Sequence, residues 1–156
     1  MSTVVRTLGP DEWQTWREIR LRSLADAPDA FGSTLAREQA FTEELWRDRM
    51  RSSPVVAFVD GVPAAMGGGF QIGDGLVQII AMWTVPEFRR RGLSKLVLDE
   101  LVRAIRARGH RVVLDVTRGN RAARTAYEHY GFVATGRAEP LREGSDLLVD
   151  EMVLPQ

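Results

Sequence analysis

Cysteine is absent from this sequence. That absence excludes a thiol nucleophile, a disulfide-stapled fold and a cysteine-type zinc site. Histidine is scarce, with His110 and His129 the only two. They do not have the spacing of a metal-ligand pair, so no metal is expected. Neither sign of charge is in excess, with 21 Lys+Arg against 21 Asp+Glu. A nucleic-acid binder usually carries a basic surplus, so no nucleic-acid partner is expected. No apolar run approaches the roughly 18 residues of a membrane span, and the opening MSTVVRTLGP lacks the apolar centre of a signal peptide. The expectation is a cytoplasmic protein without membrane contact. The 156 residues, 44% hydrophobic and 27% charged, suit a single domain over 1–156 with a sizeable core.

The pattern alternates strands and helices. Thr3–Leu8 reads as a strand, and Gly9-Pro10-Asp11 ends it and opens a helix. Trp13, Trp16, Ile19, Arg20 and Leu24 then follow helical spacing. Thr42 caps a second helix with acids in its first turn. Val55–Val59 and Pro63–Ile72 read as strands joined by the hairpin signal Asp60-Gly61. Leu76–Val85 is apolar on both faces and predicts a central buried strand. Leu93, Leu96, Val97, Leu101, Ala104 and Ile105 mark one helix face, and Gly109 stops it. Val112–Val116 is a second buried strand. Asn120 caps a helix whose inner stripe is Ala123, Ala126, Tyr127 and Tyr130. Phe132–Thr135 and Leu147–Leu154 read as the last strands. The order is that of one mixed α/β domain.

Between a buried strand and a helix stands PEFRRRGLSK, residues 86–95. The first turn of a helix carries unpaired N–H groups and about half a positive charge. Three arginines there are unfavourable unless a polyanion sits over them, and Gly92 lets a ligand approach the backbone. The plain alternative is a solvated basic loop. The loop is neither a P-loop nor a dinucleotide fingerprint.

At this point the chain resembles the GNAT family of N-acetyltransferases. Their acetyl-CoA motif, Arg/Gln-x-x-Gly-x-Gly/Ala, stands here as Arg89-Arg90-Arg91-Gly92-Leu93-Ser94 after Met82-Trp83-Thr84-Val85-Pro86, with Ser94 in place of the final small residue. A second motif, Asn120, Ala123, Tyr127, Gly131 and Phe132, is in register. The resemblance implies an α/β (α+β) fold: a single mixed, mostly antiparallel sheet with a splayed parallel central strand pair and flanking helices. It implies that backbone N–H groups from Arg90 through Gly92, Leu93 and Ser94 to Lys95 cradle a pyrophosphate, with Arg89 and Arg91 adding charge. It also implies that the edge at Met82, Trp83 and Thr84 pairs with the pantetheine arm, beside Asn120 and Ala123. Tyr127 matches the family's general acid. Asn120 also reads as a plain cap, and Tyr127 as a core tyrosine.

The resemblance leaves the base open. Many members carry Glu eight residues before the loop proline, where this chain has Gln78. Others use an acid five residues before the helix Asn, which is Asp115 here. Glu38 is a third candidate, and water a fourth. Asp115 also reads as a strand-end residue, and Glu38 as a solvated one. The implied activity is acetyl transfer from acetyl-CoA, without metal, to a small-molecule primary amine. A protein N-terminal or lysine acetyltransferase and a non-catalytic CoA-binding module are the alternatives. The apolar Leu147-Leu148-Val149 run, read as a bare sheet edge, suggests a homodimer.

Overall fold

The computed structural model describes residues 2–156. In chain order its elements are β1 (Thr3–Thr7), α1 (Trp13–Asp26), α2 (Leu35–Gln39), α3 (Glu43–Arg49), β2 (Val55–Val59), β3 (Val62–Gly73), β4 (Leu76–Thr84), α4 (Leu93–Ala107), β5 (Arg111–Thr117), α5 (Arg121–Tyr130), β6 (Val133–Pro140) and β7 (Leu148–Leu154). Local chemistry sets many of the boundaries. Asp60 and Gly61 carry φ of 50° and 81°, the left-handed pair that a tight β2–β3 hairpin requires. The hydroxyls of Thr34 and Thr42 accept the N–H groups of Arg37 and Leu45, opening α2 and α3.

The strands form one seven-stranded sheet in the order β1-β2-β3-β4-β5-β7-β6. Every neighbouring pair is antiparallel except β4 and β5 at the centre. On one face α4 lays Val97, Leu98 and Leu101 over the sheet, with Tyr127 and Tyr130 of α5 packed against the same core. The opposite face holds Trp13, Trp16 and Trp46, from α1 and α3, around Val56 and Met66. Burying an aliphatic side chain of this kind contributes about 1.5–3 kcal/mol.

Two expectations need correction. Leu147–Leu154 is not a bare edge, because β7 lies between β5 and β6 and pairs with both. The edge is β6, exposed along its length, irregular between Ala134 and Ala138 and carrying Arg137 and Glu139. Those features discourage further pairing, so the apolar argument for a homodimer falls. β6 also runs to Pro140, where the sequence reading ends at Thr135. With every position exposed it has no alternation to read. The short α2 was likewise not expected, since one turn of helix has no period.

The glycines at 67–69 sit inside β3, where the sequence alone suggests only a weakened strand. A Cβ at Gly67 would meet Leu101 Cδ1 at 3.0 Å and Val97 Cγ1 at 3.1 Å, and Met82 Sδ closer still. Gly67 is therefore the position that lets α4 lie down on β3. Gly67→Ala is expected to cost about 1–3 kcal/mol by overpacking. Urea unfolding measures it, and unchanged stability would show that α4 can lift without penalty.

Candidate active site

Parallel pairing of β4 with β5 runs from Leu76↔Arg111 to Ile79↔Leu114 and stops there. Beyond it β4 continues to Thr84 bound to β3 alone, while β5 stays paired with β7 up to Thr117↔Val149. The parting coincides with an extra residue in β4: Gly68 pairs with Ile80 and Met66 with Trp83, leaving three steps against two. Ala81 takes up the difference with φ 60°, a left-handed conformation rare for a residue with a side chain. The bulge re-aims the strand. Ile79 faces the α4 core, whereas Ile80 and Ala81 face the tryptophan core.

The parted strands enclose a cavity of about 310 Å³ whose lining includes Gln78, Asp115, Tyr127 and Glu139. Asp115, on β5, accepts a hydrogen bond from Gln78 Nε2 across the wedge at 2.9 Å. Its carboxyl is raised above the ordinary aspartate value, first by burial and then by the charges of Glu139 and Glu151, against the lowering effect of Gln78 and Arg137. Tyr127 comes from α5, which starts where Asn120 Oδ1 accepts the Ala123 N–H at 3.2 Å. Its ring meets Phe132 edge-on, 5.9 Å between centroids. Burial pushes its phenol up to about 12. Tyr130, one turn on, donates its hydroxyl hydrogen to Asp99 Oδ1 at 2.8 Å and thereby ties α5 to α4.

The arginine loop is divided by role. Arg89 donates from Nη2 to Asp26 Oδ2 at 2.8 Å and from Nε to the Thr84 carbonyl at 3.1 Å. The indole N–H of Trp83 donates to the same Asp26 oxygen at 2.9 Å. That indole bond, with the Arg89 guanidinium second, holds the Asp26 carboxyl below its usual range. Arg89 is thus an anchor joining the loop to α1. Arg91 lies over the Phe88 ring at 5.2 Å. Arg90 and Gly92 have φ of 65° and 75°, and no side chain caps α4, whose N-cap is Gly92. Backbone N–H groups following left-handed residues form anion-binding concavities. Space over Gly92 is open, since a Cβ there would meet nothing within 4 Å.

The remaining candidates divide between site and scaffold. Trp83 and Leu93 are buried in the two cores. Met82 and Ala123 pack against the α4 core. Ser94 is exposed in the first turn of α4, and Lys95 pairs with Asp99 at 3.1 Å. Glu38 is not brought into the wedge. It is 6% exposed, and both its oxygens accept from Arg20, at 3.0 Å each. A carboxylate so engaged does not suit a base.

Sequence reading missed Arg20 and Glu139 as wedge residues. Arg20 did carry a signal, being an arginine within the apolar stripe of α1. Glu139 carried none, because only the β6–β7–β5 pairing brings it beside Asp115.

A family model described as Acetyltransferase (GNAT) family matches residues 13–132. No curated protein matched the sequence. Among solved structures, the chain is similar to YncA from Salmonella typhimurium with its cofactor acetyl-CoA, at TM-score 0.77 and 17% identity, covering 100% of this chain and 96% of that one. It is similar to a ribosomal-protein-alanine N-acetyltransferase from Brucella melitensis, at TM-score 0.76 and 17% identity over 96% and 98% of the two chains. It is also similar to the PaiA N-acetyltransferase from Thermoplasma acidophilum in complex with coenzyme A, at TM-score 0.66 and 18% identity over 96% and 98%. At these identities the likeness is one of fold.

The Gln78–Asp115 bond makes a direct expectation. Asp115 titrates above the ordinary aspartate range, and Gln78→Leu moves it further up, because the N–H that favours the ionised form is gone. A carboxyl-carbon NMR titration follows both proteins. An ordinary aspartate midpoint in the unaltered protein would mean that the wedge is wet.

Proposed function

The chain belongs to the GNAT acetyltransferase family, and from that premise we propose that it transfers the acetyl group of acetyl-CoA to the primary amine of a small molecule by direct attack. One observation carries the reading: Asp115 and Tyr127 line a single cavity at the point where β4 and β5 part.

The residues present fit acetyl-CoA. The left-handed turns at Arg90 and Gly92, the uncapped start of α4 and the open space over Gly92 suit a pyrophosphate. The β4 edge beyond Ile79 has no strand partner on the β5 side, so its peptide groups remain for an amide-bearing arm. When bound, acetyl-CoA supplies a reactive acetyl thioester.

The chain's own residues handle protons and charge. A lysine-like amine has a pKa of about 10.4, so freeing it near pH 7 costs roughly 4–5 kcal/mol. Asp115 takes that proton, and its upward-shifted carboxyl makes it a better acceptor than an ordinary aspartate. The nitrogen then bonds to the acetyl carbon as the carbon–sulfur bond breaks, its surplus proton passes to the leaving sulfur, and the proton held by Asp115 is released to solvent. A backbone N–H of β4 near Trp83 or Thr84 meets the charge growing on the carbonyl oxygen. Tyr127 donates a hydrogen bond to the departing sulfur. In sum, an ammonium and a thioester become an amide, a thiol and one released proton.

Two variants separate binding from chemistry. Gly92→Val is expected to weaken acetyl-CoA binding about tenfold, or 1.4 kcal/mol, by forcing a branched side chain into a left-handed position over the phosphates. Calorimetry on the folded variant reads this, and unchanged affinity removes the loop assignment. Tyr127→Phe keeps the ring contact with Phe132 and deletes one hydroxyl. Turnover is expected to fall about a hundredfold with acetyl-CoA affinity held. Thiol release across an amine panel provides the assay. Wild-type turnover would return Tyr127 to the core. Release with peptides alone would move the reading to a protein acetyltransferase. CoA binding without any release would make the chain a binding module.

A further inference from the structure

Two clefts meet on the sheet face that carries α1 and α3. One is the wedge. The other, of about 370 Å³, lies beside it, and its lining includes Trp16, Leu45, Trp46 and Phe70. Arg20, Ile80 and Ala81 line both, so the two clefts adjoin at these three residues. Phe70 is 51% exposed, an apolar ring at the mouth of the second cleft.

Arg20 is the unusual member of that shared wall. Its Nε and Nη2 are held by Glu38, and its guanidinium lies 4.8 Å from the centroid of the Phe31 ring. The remaining nitrogen, Nη1, is buried without a hydrogen-bond partner. Among the described residues one other buried side-chain donor is left this way, Nε1 of Trp46, a residue 1% exposed. Folded proteins pair nearly all such groups. Both belong to the wall of one cleft, where either could take an oxygen acceptor from outside the chain. Both nitrogens are buried, so a ligand reaches them only when the side chain turns outward.

The charges have a direction as well. The lining of the wedge sets Asp115 and Glu139 against Arg20. The lining of the neighbouring cleft sets Arg20, Arg49 and Arg51 against Glu38 and Asp48. A cation is therefore drawn toward the wedge, and an anion toward the cleft. A second ammonium on the acceptor would meet arginine, which disfavours diamines.

Building on the acetyltransferase reading, we propose that the acceptor is an α-amino acid with an apolar side chain. Its amine enters the wedge toward Asp115. Its carboxylate is received at Arg20, with the Trp46 indole N–H as a second donor. Its side chain fills the cleft among Leu45, Phe70 and Ile80. The bond changes are those given above, and the product is an N-acetyl amino acid.

The test needs no variant at first. Acetyl-CoA turnover is measured with matched pairs that differ only by the carboxylate: phenylalanine against phenethylamine, and leucine against 3-methylbutylamine. Each amino acid is expected to exceed its partner at least tenfold in kcat/KM. Trp46→Phe, which removes the N–H and keeps an aromatic ring, is expected to narrow that ratio several-fold through KM while acetyl-CoA affinity holds. Equal rates within the pairs overturn the inference and leave the acetyltransferase reading standing. A dipeptide such as Phe-Leu preferred over both members overturns it in favour of a peptide N-terminus. Absence of thiol release with every amine overturns both.

Discussion

One extra residue in β4 controls the site. With Ala81 in a left-handed conformation, the strand bulges, and its pairing with β5 ends at Ile79. A strained non-glycine residue costs about 1–3 kcal/mol and persists only where its surroundings over-determine it. Here β3 keeps its bonds to β4 on the other side, and Ala81 and Trp83 are buried among the tryptophans. β5 also keeps a complete partner in β7. The sheet therefore opens at its centre without leaving either strand unsupported. The cavity, the free β4 edge and the convergence of Asp115 with Tyr127 all follow from that opening.

The arginine loop shows how a run of like charges can be settled within the fold. Three adjacent cations at a helix start repel one another and the helix dipole. The structure gives two of them internal work. Arg89 ties the loop to Asp26 and to the Thr84 carbonyl, and Arg91 covers Phe88. Because Asp26 also holds Trp83, one carboxylate fixes both the strand that borders the wedge and the loop that follows it. The backbone at Arg90 and Gly92 is thereby held in its curved shape, a preorganisation that would suit the proposed phosphate binding.

What the sequence made legible was local. The Asp60-Gly61 hairpin, the Thr42 and Asn120 caps, the central buried strands and the spacing of both motifs all depend on residues a few positions apart. What it hid was non-local. The bulge at Ala81 has no glycine to announce it. Glu139 reaches Asp115 only through two strand pairings. Glu38 finds its partner in Arg20, eighteen positions earlier, and so leaves the list of bases. The Leu147-Leu148-Val149 run is apolar because β7 is interior, a fact set by strand order. Asp115 could be picked out by position in the chain, but its hydrogen bond to Gln78 depends on where the two strands begin to part.

Burial acts on both proposed catalytic groups, with opposite consequences. It raises the carboxyl of Asp115, which improves a base. It raises the phenol of Tyr127 to about 12, which weakens an acid. Against an ordinary thiol near about 8.5, complete proton transfer from such a phenol is uphill. In the proposed reaction Tyr127 would then keep its proton and donate a hydrogen bond as charge builds on sulfur, rather than act as a simple proton source. The same surroundings would raise a bound thiol, because burial penalises its anion too, and so would shrink the gap. On this account the hydroxyl matters most when the thiolate is least hydrated.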